Sequence, residues 1–92
     1  RQHLSLSNLR YCRFQEERLR LIKPKVRNAG DIRTFNMLVV DYNSRCSDFL
    51  YRDSDAATVT AEINSNRERL AAEADQIVAA WPKQAEQDRT IK

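Results

Sequence analysis

Ninety-two residues, with 16 Lys and Arg against 13 Asp and Glu, one Gly and two Pro, allow one small domain whose core is too modest for a wide margin of stability. No apolar run approaches the roughly 20 residues of a membrane span and no charged-then-apolar leader is present, so the chain as given reads as soluble. Its start at Arg1 reads as that of a processed or truncated piece, with room for a signal peptide or anchor ahead of it. Ala, Leu, Arg and Glu are plentiful and β-branched residues are unclustered, which favours helix nearly end to end and no strands.

Residues 1–7 read as a frayed lead-in, with Ser5 or Ser7 available to cap a first helix over residues 6–27. Leu9, Cys12, Leu19, Ile22 and Val26 form its apolar stripe. Pro24 predicts an early end near residues 21–23 or a kink, and the stripe's continuation to Val26 favours the kink. Positive charge gathers on this helix. Residues 1–30 hold eight basic and two acidic side chains, residues 31–54 three and four, and residues 55–92 five and seven.

Gly30 is suited to the left-handed closure of that helix, and Asp31 to capping a second one running to about Tyr51. The second helix carries the most apolar stretch, FNMLVVDYNSRCSDFLY at residues 35–51. Ile32, Phe35, Val39, Tyr42, Cys46 and Phe49 share one face, while Met37 and Val40 point away, so neighbours are expected on two sides. Folding the two helices back about Ala29 opposes residues whose numbers total about 58. Cys12 then meets Cys46, Val26 meets Ile32, Leu19 meets Val39 and Leu9 meets Phe49.

Asp53 or Ser54 can cap a third helix with Val59, Ile63, Leu70 and Ile77 on its stripe, ended by Pro82 after Trp81. The expected architecture is all-α: an antiparallel, disulfide-linked helical hairpin plus a long third helix, a three-helix bundle over residues 1–82. Residues 83–92 are polar and aperiodic, and read as a mobile tail.

The cysteines fit no zinc, haem or thioredoxin spacing, so no metal or cofactor is expected. Their register favours a Cys12–Cys46 disulfide, and with it an oxidising compartment; two buried thiols are the alternative. Glu16 interrupts the first stripe opposite Tyr42, a pair suited to fixing register. Arg10, Tyr11, Arg45, Tyr51 and Arg52 lie within about two turns of the cysteines and outline an anion notch.

Phe14 and Leu21 point away from the main stripe on a face shared with Arg10, Arg18 and Lys25. Cover by the third helix would make this core; otherwise it is a surface for a partner protein. Trp81, at a helix end, suits an interface or self-association. Arg13, Arg20 and Arg27 recur every seven residues, the basis of the alternative function: a basic module binding nucleic acid or another polyanion through the first helix. Catalysis is disfavoured, because the one histidine, His3, lies in the lead-in and Glu16 and Glu17 diverge by about 100°.

The segments Arg10-Tyr11-Cys12, Phe35-Asn36 and DYNSRCSDFLYR at residues 41–52 resemble small bacterial envelope proteins of uncharacterised function. The resemblance covers the first two helices and implies an extracytoplasmic helical domain with paired cysteines. The function expected is a non-enzymatic interaction or structural module of the envelope, with a protein partner or a second copy bound through helix surfaces.

Overall fold

A computed structural model describes residues 2–82. The described residues are mostly helical and form four α-helices. Ser5 opens α1 (Leu6–Ile22), its hydroxyl accepting from the Asn8 N–H at 3.1 Å. The helix stops just short of Pro24, and Lys23–Lys25 form a single 3-10 turn. Proline has no N–H for the α ladder yet fits the first turn of a new element, so the early end prevails over the kink.

The next helix, α2 (Ala29–Cys46), is capped by Asn28, whose side-chain oxygen accepts from the Asp31 N–H at 2.9 Å. Asp31 answers by accepting from the Arg27 N–H at 3.1 Å. These two bonds displace the expected roles of Gly30 and Asp31. Asp31 supports the cap rather than being it, and Gly30 is helical and buried rather than left-handed. The helix ends at Cys46, short of Tyr51, because Ser47 is extended and Asp48 takes a positive φ of 56°. Asp tolerates that conformation better than most residues.

The chain leaves the turn as β2 (Phe49–Leu50), paired in parallel with β1 (Gln2–His3), and the Leu4 N–H donates to the Leu50 carbonyl at 2.8 Å. The lead-in is therefore tied down rather than frayed. Among the described residues, this two-residue ladder departs from the expectation of no strands.

The expected third helix is two, α3 (Asp53–Ser65) and α4 (Arg67–Ala79). Asn66 separates them with φ −117° and ψ 18°, and its side-chain amide donates to the Glu62 carbonyl at 2.7 Å. A side chain that takes the i−4 carbonyl competes with the backbone ladder, which is why Asn breaks helices more readily than Ala or Leu. Trp81 lies just beyond α4, half-buried, its N–H donating to the Val78 carbonyl. The expected mobile tail at residues 83–92 lies outside the described residues.

Helix α1 is the centre. Leu9, Phe14, Val59 and Leu70 form the buried apolar cluster, with Leu4, Leu6, Leu21 and Ile63 packed against it. All of these come from α1, its lead-in, α3 and α4. Along α1 and α2 the joined pairs run in opposite senses, Cys12 to Cys46 and Glu16 to Tyr42. Along α1 and α3–α4 they run together, Arg10 to Glu62, Arg18 to Glu73 and Lys25 to Asp75. Helix α2 packs on α1 and has no comparable packing with α3 or α4. With extents of 53 × 30 × 16 Å, the molecule is a slab little more than one helix thick.

Candidate functional site

The cysteines lie where the register placed them, joined with a Cα–Cα distance of 5.7 Å and both buried. One turn away the Tyr42 hydroxyl donates to Glu16 at 3.5 Å, at the long limit of a hydrogen bond. Burial raises the Tyr42 pKa and the Glu16 charge adds to it, so the phenol stays protonated as a donor.

The anion notch is not assembled. Tyr11 and Arg45 share one flank of the disulfide with Leu4 and Asn8, while Tyr51 lies on the other with Arg13 and Phe49. Arg52 is elsewhere, beside His3 and Asp55. Two guanidinium groups near the disulfide are also committed. Arg45 holds both oxygens of Asp41 at 3.0 and 3.2 Å. Arg13 donates to Glu16 at 3.1 Å and to the Tyr51 hydroxyl at 3.2 Å, lying over that ring at 5.4 Å. Because α2 ends before Asp48, Tyr51 and Arg52 do not continue the helix that carries Arg45.

The Phe14–Leu21 partner surface is not a surface either. Phe14 is 8% exposed within the core cluster, Leu21 packs against that cluster, and Arg69 covers the Phe14 ring at 5.7 Å. The cations of this face are straps across the joint. Arg10 grips Glu62 through two bonds of 2.7 and 3.0 Å, Arg18 pairs with Glu73 at 2.9 Å, and Lys25 with Asp75 at 2.8 Å. Trp81 is not grouped with them.

Glu17 is enclosed between Arg20 and Arg67, and the hydrogen bonds from Arg20 are the main reason its pKa falls. The bond from Arg10 likewise lowers Glu62. Both carboxylates regain ordinary values near 4.3 on unfolding, so around pH 4 the unfolded chain binds more protons. The stability they contribute is complete above that value and is lost as pH falls through the lower folded values. We expect the melting temperature to fall from pH 6 to pH 3, and to fall less in Glu17→Gln; equal falls in the two proteins would refute the assignment.

What sequence reasoning missed is the outer face of α2. Met37 is 72% exposed and Val40 67%, on a helix whose buried residues are Gly30, Asp31 and Cys46 alone. The two-sided apolar pattern was visible in the sequence and was expected to be covered within the chain. Among the described residues the α1 side is covered and Met37 and Val40 are left exposed. Solitary exposed apolar residues are ordinary, but these two, three residues apart, stand together on one face of the helix.

Among the described residues no group of His, Cys, Asp and Glu could hold a metal ion, and no helix is long and apolar enough to cross a membrane. No protein-family model, curated protein or solved structure matches the chain.

Proposed function

We propose that the chain is a non-enzymatic interaction module of an oxidising, extracytoplasmic compartment, the bacterial envelope, and that it binds a partner protein through the outer face of α2. The observation that carries this is the exposure of Met37 and Val40 on the face of α2 turned away from α1, its principal packing partner. Helices α1 and α2 act as a disulfide-clasped hairpin, with α3–α4 as the third arm that buries the other face of α1. The disulfide between Cys12 and Cys46 supports the compartment.

The polyanion alternative draws less support. Arg10, Arg13, Arg18, Arg20 and Lys25 are each paired with a carboxylate, so the basic surface of α1 is largely neutralised within the molecule.

A photo-reactive residue at position 40 tests the reading in producing cells, with position 68 on exposed α4 as the control. We expect protein adducts from 40 and not from 68, abolished by Met37→Glu at unchanged helical content. Equal labelling at the two positions, or none at 40, would refute it.

A further inference from the structure

Resting on that reading of α2, we infer that the face takes a second copy of this chain, docked antiparallel about a twofold axis. Arg33, Met37, Val40 and Ser44 are all exposed and follow one another at spacings of four, three and four, one straight stripe on the side away from α1. The stripe is apolar at its centre and unlike at its ends. One end is Arg33, which has no ion pair among the described residues. The other is Ser44, one turn from Asp41.

An antiparallel twofold sets Met37 of each copy on Val40 of the other. It also sets each Arg33 against the other copy's Ser44, within a turn of its Asp41. Asp41 already receives Arg45 through Nε, and a carboxylate has acceptor sites for a second guanidinium. A parallel pairing would oppose Arg33 to Arg33, so charge selects the antiparallel one. The shape permits it. In a slab 16 Å thick with α2 packed chiefly on α1, the outer side of α2 meets its copy without α3 or α4 intervening. A three-turn stripe falls short of the roughly 1,200 Å² of a standard stable interface, so the association is a weak one.

Sedimentation equilibrium of the full oxidised chain from about 10 μM to about 1 mM covers the range such a contact occupies. The average mass is expected to rise from one chain towards two. Met37→Asp should remove the rise at unchanged circular dichroism, Arg33→Asp or Asp41→Arg should each weaken association about tenfold or more, and the double exchange should recover most of that loss. A monomer throughout, a dimer that tolerates Met37→Asp, or a double exchange that recovers nothing would each overturn the proposal. Peptide mapping of adducts from position 40 separates this proposal from the reading beneath it. A cross-link to α2 of a second copy supports both. A link to a different protein overturns the self-association and leaves the interaction module standing. A link to residues 83–92 of the same chain, or no link, overturns both.

Discussion

Replacing Cys12 and Cys46 together by alanine is expected to lower the melting temperature by roughly 15–30 °C. The bridge spans a sequence separation of 34 residues. Closing a loop of that length removes unfolded-chain entropy worth about 4 kcal/mol, and a domain of this size shifts by about 4–8 °C per kcal/mol. The placement of the loss matters as much as its size. Helix α2 contributes no side chain to the Leu9, Phe14, Val59 and Leu70 cluster, so its C-terminal half depends on the bridge, with the half-buried Leu38 and Val39 and the Tyr42–Glu16 contact beside it. Amide exchange should therefore accelerate more in α2 than in α1 or α4 when the bridge is removed. Thermal denaturation with and without reductant checks the first expectation, and exchange mass spectrometry the second. Unreduced protein alkylated in denaturant should gain no alkyl groups; two groups would show that the bond is absent and remove the argument for an oxidising compartment.

The disulfide was legible because it depends on register, and register depends only on where the chain turns. Pro24 and the segment around Asn28 fixed the turn closely enough for Cys12 to find Cys46 and Glu16 to find Tyr42. The pairs further along needed regular helix that the chain does not make. Leu9 was set against Phe49, but α2 ends at Cys46 and Phe49 pairs with Gln2. The cause is the positive φ of Asp48, a local event within an otherwise periodic apolar stretch. The break at Asn66 was hidden for the same reason. Val59, Ile63 and Leu70 keep helical spacing through it, and apolar periodicity reports a face, not the continuity of the ladder behind it.

A single helix read alone could not decide between the alternatives its apolar faces left open. Arg10, Arg18 and Lys25 look like the cationic rim of a binding patch until Glu62, Glu73 and Asp75 are brought opposite them. Met37 and Val40 look like a second buried side until α3–α4 is seen to take the opposite flank of α1 instead. Each face was correctly identified as apolar. Which one the third arm would cover depended on packing between elements far apart in sequence.

That exchange of roles makes Phe14 the decisive core position. Phe14→Ala is expected to cost about 3–5 kcal/mol, the loss for truncating a buried aromatic side chain. A domain of about 90 residues has a total stability of only some 5–14 kcal/mol, so the variant should be largely unfolded at temperatures the parent tolerates. The ring is 8% exposed, packed in the cluster with Leu9, Val59 and Leu70 and covered by Arg69, and its removal opens a cavity where α1 meets α3–α4. Met37→Ala, on a side chain left 72% exposed, should stay within about 0.5 kcal/mol of the parent. Urea denaturation of the two variants ranks them directly. A Phe14 variant as stable as the Met37 variant would mean that the ring faces solvent, and would return the Phe14, Leu21, Arg10, Arg18 and Lys25 face to candidacy as the partner surface. The expected ranking leaves α2 as the side of the molecule that can lose apolar surface without losing the fold, as a binding face must.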